Sequence, residues 1–172
     1  MHRRHLLRAI ALLPVWALLE RGIRPARATP LATVARLDKP PEEWRALLPP
    51  AAWRVLFEED TEPAGSSPLN DEHRDGTFVC AACYLPLFDS RHKYDSGTGW
   101  PSFTQPLDPA HIGRRRDFRL FWPRSEYHCA RCGGHQGHVF DDGPPPRGER
   151  WCNNGLALHF VPREEPLPEL RS

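Results

Sequence analysis

The sequence predicts a mainly β domain, a small sandwich or barrel of short strands, and three observations carry that prediction. Twenty Pro and twelve Gly stand against a single Met, a composition of many turns rather than of a helical bundle. Short apolar windows recur along the second half of the chain, separated by Gly, Pro and Asp. Six Trp and eight Phe in 172 residues are enough bulk for one real core, and the length suits one domain.

Taken in order, residues 1–28 differ from the rest. Arg3-Arg4-His5-Leu6-Leu7-Arg8 is a charged start, Ile10 to Leu19 a short apolar run, and Ala26-Arg27-Ala28 a small-x-small cleavage pattern. Together they read as an export signal, and the paired arginines followed by leucines point to the twin-arginine route. The apolar run is short for a membrane span, so no stable span is expected once the signal is cleaved. The expected destination is the bacterial periplasm. The segment holds six Arg and one Glu, so the remainder has 17 basic and 21 acidic residues, a formal charge of −4. With no basic stripe, nucleic-acid binding is not expected. The one basic run, Arg114-Arg115-Arg116, reads as a solvated loop.

Residues 29–40 mix small residues with Pro and read as a linker. Pro41-Glu42-Glu43-Trp44 then starts a helix, with Pro at the first turn, acids at the positive end of the dipole, and Trp44, Leu47 and Leu48 on one face. Pro49-Pro50 ends it. A second short helix is expected from Ala51 to Glu59, with Ala52, Val55 and Leu56 inward. Thr61 to Asp75 is polar and turn-rich, a surface loop. Strands are expected at Phe78-Val79-Cys80, Leu85-Pro86-Leu87-Phe88, Phe118 to Trp122, Glu126 to Cys129, Val139-Phe140 and Leu156 to Val161. The domain is placed at 41–163, with a tail at 164–172.

Five cysteines punctuate this pattern. Four form two Cys-x-x-Cys pairs, Cys80 with Cys83 and Cys129 with Cys132. Each pair puts two thiolates on one tight turn, and two such turns supply the four sulfurs that one structural zinc ion prefers. The 45 residues between Cys83 and Cys129 make the metal a clasp between distant segments. Disulfides, favoured by an oxidising compartment, and a thioredoxin-type redox centre are the rival readings. Cys152 is left alone. Arg150 lies two residues before it, on the same face if the segment is a strand, where a cation lowers a thiol pKa toward the reactive thiolate. Trp100, between Gly99 and Pro101, is either a rigid pocket wall or a core residue. His135 and His138 fit proton transfer better than metal binding once four cysteines hold the ion.

These windows together resemble a known family. Gly76-Thr77-Phe78-Val79-Cys80-Ala81-Ala82-Cys83, Asp95-Ser96-Gly97-Thr98-Gly99-Trp100-Pro101-Ser102-Phe103, Cys129-Ala130-Arg131-Cys132-Gly133-Gly134-His135, Gly137-His138-Val139-Phe140-Asp141-Asp142-Gly143-Pro144 and Arg150-Trp151-Cys152 look like the peptide methionine-(R)-S-oxide reductases of the MsrB type, from about Pro41 to Val161. The resemblance implies two antiparallel sheets forming a small barrel-like domain with short flanking helices. It places Cys152 on the nucleophile, whose attack on the sulfoxide leaves a sulfenic acid. His138 and His135 fall on the pair that binds and protonates the sulfoxide oxygen, and Asn154 on an orienting hydrogen-bonder. Trp100 falls on the wall for the substrate methyl, with Phe140 and Arg150 assigned to the same substrate site. The four paired cysteines fall on the zinc set.

The chain departs from the family pattern at several positions. Thr98 stands where many members carry a resolving cysteine. If zinc holds the other four, Cys152 is the one active thiol and its sulfenic acid needs an external reductant, a thioredoxin-like or other envelope thiol. Asn153 replaces an aliphatic residue, Gly155 a Ser and Trp151 a Tyr. Two other classes are the alternatives, a non-catalytic zinc-binding interaction module and a thiol hydrolase. The first requires Cys152 buried and Trp100 packed in the core; the second requires an oxyanion hole and a His–acid pair positioned on Cys152, for which the sequence offers no motif.

Overall fold

The computed structural model describes residues 34–117 and 124–172. The expected export signal and the expected strand from Phe118 to Trp122 therefore lie outside the described residues. Two helices open the domain. α1 spans Pro41–Arg45 and α2 spans Pro50–Glu58. Each has proline in its first turn, where the missing N–H has no intrahelical partner to lose. Pro50 thus starts the second helix rather than stopping the first. Glu59 ends it in the left-handed conformation, its N–H on the Arg54 carbonyl. Trp44, Leu48, Ala52, Trp53, Val55 and Leu56 are buried, but Leu47 is exposed because α1 stops at Arg45 before its periodicity can carry Leu47 inward.

Nine strands follow among the described residues: β1 Gly76–Cys80, β2 Pro86–Asp89, β3 Lys93–Tyr94, β4 Ser102–Phe103, β5 Ile112–Asp117, β6 Arg124–Cys129, β7 His135–Phe140, β8 Arg150–Asn153 and β9 Leu158–Pro162. They form two antiparallel sheets, of order β2-β1-β9 and β3-β4-β8-β7-β6-β5. Aromatic side chains fuse the two. Phe88 of the small sheet stacks on Phe103 of the large one at 4.2 Å between centroids, and meets Tyr127 and Trp151 of the large sheet edge-on at 6.0 and 6.2 Å. All four are nearly or fully buried. Such pairs add about 0.5–1.5 kcal/mol each beyond their burial, and they fix the sheets face to face.

One expectation here needs correction. The run Arg114-Arg115-Arg116 is the middle of β5, not a loop. It reads as loop because all three side chains are exposed on an edge strand, where like charges cost little and discourage pairing with another edge. The described part of the linker is tied down: the Leu37 N–H donates to the Arg131 carbonyl at 2.7 Å. The tail is fastened as well, since Arg171 donates to the carbonyls of Ala81 and Ala82 at 3.4 and 3.3 Å. Both ends thus close over the cysteine turns. No helix among the described residues is long and apolar enough to cross a membrane.

Candidate active site and metal centre

The two Cys-x-x-Cys turns meet where the sheets join. Cys80 ends β1 and Cys129 ends β6, and each is followed by a tight turn that returns its partner cysteine. The Cys80 and Cys132 sulfurs are 3.6 Å apart and those of Cys83 and Cys129 3.5 Å apart, with all four within 4.8 Å of one another. A tetrahedral ion with metal–sulfur bonds of about 2.3 Å sets its sulfurs about 3.8 Å apart. The four buried thiols therefore fit one metal ion, and being four they leave no open position for substrate. None is bridged as a disulfide.

The second site lies on the other face of β7 and β8. Cys152 pairs directly with His138, and Arg150 with Phe140. Directly opposed residues of an antiparallel pair share a face, so the four side chains stand together. Gly137 makes this approach possible, since a Cβ there would lie 1.9 Å from the Cys152 carbonyl oxygen. The result is a pocket of about 160 Å³ lined by Trp100, His138, Phe140, Cys152 and Asn154, together with Thr61 and Arg124. Cys152 is partly exposed at its floor, and Trp100 is half-buried, donating its indole N–H to the Glu62 carbonyl at 3.1 Å.

His135 reaches the site by an irregularity. Residues three apart in a regular strand face opposite ways. Between Tyr127 and His128 of β6 the partner on β7 jumps from Gly137 to His135, so Gln136 is an extra, bulged residue. The bulge returns His135 to the face of His138, with ring centroids 5.4 Å apart. It also turns Gln136 toward the cysteine cluster, where its amide donates to Cys80 Sγ at 3.5 Å. His135 does not line the pocket of Cys152. It lines a smaller cavity of about 50 Å³ behind it, shared with Asp117, Glu126 and His138, which is room for a water.

Carboxylates hold both rings. His138 Nε2 is 2.9 Å from Asp117 Oδ2, and His135 Nδ1 is 2.7 Å from Glu126 Oε1. Burial alone would raise the Glu126 carboxyl; hydrogen bonds from His135 and Arg115 overcome it and hold the group at about 2. Burial pushes the His138 imidazole down, against the upward pull of Asp117. Burial also pushes the Cys152 thiol up. Arg150, whose charge and hydrogen bond act the other way, does not reverse it. This corrects the expectation of a lowered thiol. The Arg150 guanidinium is divided among several tasks, since it binds Asp142 at 2.8 and 2.9 Å and lies 4.3 Å over the Phe140 ring.

Asn154 lines the pocket, yet its polar atoms face inward. Its Oδ1 accepts from the Glu62 N–H at 3.2 Å and its Nδ2 donates to the Gln136 carbonyl at 3.1 Å. The other departures are also explained. Asn153 is fully buried but satisfied, accepting from the Tyr127 hydroxyl at 2.6 Å and donating to the Asn154 carbonyl at 2.7 Å. Gly155 packs against Ser67, where a Cβ would sit 1.9 Å from Ser67 Oγ. Trp151 fills the core edge-on to Tyr127 and Phe88, with Arg114 above it at 4.3 Å. Arg124, Asp117 and Glu62 have no functional signal in their own sequence windows, and Glu126 is visible only as the acid that begins the expected strand Glu126 to Cys129.

Comparison with known proteins agrees with this geometry. A SelR domain matches residues 48–162. Peptide methionine sulfoxide reductase MsrB of Pseudomonas entomophila (strain L48) is 48% identical over 129 residues, covering 75% of this chain and 98% of that protein. The protein of the same name from Bradyrhizobium diazoefficiens is 48% identical over 128 residues, 74% of this chain and 92% of its own, and that of Thiobacillus denitrificans 47% over 122, with 71% and 92% covered. With a domain match over most of the chain and relatives aligned nearly end to end, the chain belongs to the SelR domain family, that of peptide methionine sulfoxide reductase MsrB.

Proposed function

We propose that this protein reduces methionine-R-sulfoxide in peptides and proteins, with Cys152 as nucleophile. The observation that carries the reading is Cys152 and His138 opposed across two strands inside a pocket walled by Trp100 and Phe140. Family membership supports the reaction class and its R stereochemistry. The sulfoxide methyl lies against Trp100, and the Cys152 sulfur attacks the sulfoxide sulfur to form a transient S–S bond. A raised thiol beside a lowered imidazole starts with the proton on sulfur, so His138 carries it from Cys152 to the departing oxygen. As the protonated oxygen passes from the substrate sulfur to Cys152, the S=O bond and the transient S–S bond both break, the new S–O bond leaves Cys152 as sulfenic acid, and methionine departs. Cysteine sulfur is oxidised by two electrons and substrate sulfur is reduced by two, with no net proton uptake. His135 and the small cavity extend the proton route, and Asn154 steadies the strand end rather than the substrate.

Two external thiols then return Cys152 to the thiol with loss of water and formation of their disulfide. Thr98 has no sulfur and the other four cysteines are committed to the cluster, so the donor is a separate thioredoxin-like or other envelope thiol. The four sulfurs hold one zinc ion whose role is to clasp the sheets; it supplies stability and no chemistry. A non-catalytic module requires a fully buried Cys152 and a core Trp100, and the half-exposed pair does not favour it.

The test is reduction of a peptide containing methionine-R-sulfoxide with dithiothreitol. Wild type turns over and Cys152→Ser does not, with unchanged metal content. Equal activity in both would remove Cys152 from the role. Residues 1–28 we read as an export signal that delivers the domain to the periplasm; the charged start and the Ala26-Arg27-Ala28 pattern support it. The mature protein should begin near Thr29 by mass spectrometry, and an intact N-terminus after expression in a bacterium with the export route would count against it.

A further inference from the structure

The proposed reaction leaves one neighbour of Cys152 unused. Beside the Cys152 sulfur stands the Thr98 hydroxyl, whose hydrogen bonding pulls the thiol down against the push of burial. Behind it, Thr98 Oγ1 is 2.8 Å from Ser96 Oγ, and Ser96 Oγ is 2.8 Å from Ser102 Oγ. Ser102 is fully buried, pairs with Cys152 across β4 and β8, and reaches the Trp100 carbonyl at 3.1 Å. An unbroken row of three hydroxyls thus joins the nucleophile to the backbone of the pocket wall.

Each hydroxyl has one proton to give and two lone pairs to receive with. The row can therefore point wholly one way or wholly the other. With Cys152 as a thiol, Sγ–H donates to Thr98, Thr98 to Ser96, Ser96 to Ser102, and Ser102 to the Trp100 carbonyl. With a thiolate, each proton rotates: Ser102 donates to Ser96, Ser96 to Thr98, and Thr98 to the sulfur. No hydroxyl loses its partner in either state. A row of fixed donors could serve only the anion.

We propose that Ser102, Ser96 and Thr98 form a reversible hydrogen-bond chain for the nucleophile, receiving from its thiol and donating to its thiolate, and that Thr98 is a catalytic residue. The inference rests on the reading of Cys152 as nucleophile. The chain matters because the sulfur is buried enough for its charged form to be penalised. The other groups facing it are Arg150 with Asp142 behind it, His138 across β7, Arg124 at the pocket wall, and Tyr94 and Tyr127. All remain in the variants below, so differences report on the hydroxyls.

The experiment is the pH profile of Cys152 alkylation by iodoacetamide in the metal-loaded protein, followed by intact mass with Cys152→Ser as blank. A hydrogen bond to a charged group corresponds to a shift of about one pH unit or more. Thr98→Val should move the midpoint up by about that much and slow alkylation about tenfold below it. Thr98→Ser should keep the wild-type midpoint, and Ser96→Ala should shift it upward by less with Thr98 untouched. An unmoved midpoint in Thr98→Val, or a Thr98→Ser that shifts as far as Thr98→Val, overturns the proposal. Should Thr98→Val not fold, the contrast between Ser96→Ala and Thr98→Ser decides, an unmoved Ser96→Ala being the overturning result. No sulfoxide enters the assay, so its outcome is separate from that of the reductase reading.

Discussion

The four-cysteine cluster and the Cys152 pocket are two uses of the same side chain a short distance apart, separated by β7. In the cluster, each pair is made by a turn of four residues, every sulfur is buried, and the neighbours of a sulfur are other sulfurs. In the pocket, a single sulfur stays partly exposed, and its neighbours are an imidazole, a guanidinium, an indole and a hydroxyl. The first arrangement saturates sulfur and removes its reactivity; the second isolates it and surrounds it with groups that can move a proton. The lesson is that the company of a cysteine, more than its own pKa, separates the two roles. The thiol of Cys152 is pushed up by burial, so the proposed reaction needs a partner that takes the proton as the bond forms.

Three substitutions break or sharpen this contrast, and the first has the largest expected effect. Cys83→Ser opens the cluster and should cost on the order of 4 kcal/mol or more together with the bound metal. Thermal melting with metal analysis checks it; an unchanged melting temperature with metal retained would remove the clasp from the account. The damage should spread to the pocket, because Gln136 donates to Cys80 and accepts both N–H groups of Asn154 on its carbonyl. His138→Ala should leave the fold and the metal intact and slow turnover about 10² to 10⁴-fold, read from kcat/KM with a sulfoxide peptide. A loss below tenfold would transfer the proton to another group.

The smallest effect concerns the carboxylate behind the second histidine. Glu126→Gln should destabilise by about 1–2 kcal/mol at neutral pH, because a neutral amide hydrogen-bonds His135 and Arg115 more weakly. The Glu126 carboxyl titrates lower in the folded protein, at about 2, than its ordinary 4.5. Its contribution is therefore complete above pH 4.5 and disappears as pH falls through about 2. Denaturant titrations of wild type and variant should thus differ by a constant amount above pH 5 and converge toward pH 2. A gap that widens on acidification would reverse the assignment.

Much of this molecule was legible in the sequence where a property depends on near neighbours along the chain. The β class followed from turn residues and short apolar windows, the metal set from two Cys-x-x-Cys turns, and the unusual status of Cys152 from its being the fifth cysteine. The first-turn prolines announced both helices, though only the chain geometry decided that Pro50 belongs to the second. Strands β3 and β4 were invisible because two residues carry no period, and β5 because its arginines, on an edge, have no inward face to alternate against.

What tertiary structure alone decided is everything that depends on register. The placement of His138 opposite Cys152 is a property of the β7 and β8 pairing. The return of His135 to the same face depends on one bulged residue, Gln136, and nothing in His135-Gln136-Gly137-His138 says that the strand slips there. Asp117, Glu126 and the row from Ser102 to Thr98 enter the site through ladder contacts between segments far apart in the chain. Local sequence selects the conformations a segment can adopt, because φ, ψ and turn preferences act over a few residues. Which side chains then touch depends on strand pairing and burial, summed over the whole core, and those terms are settled only when the sheets close on each other.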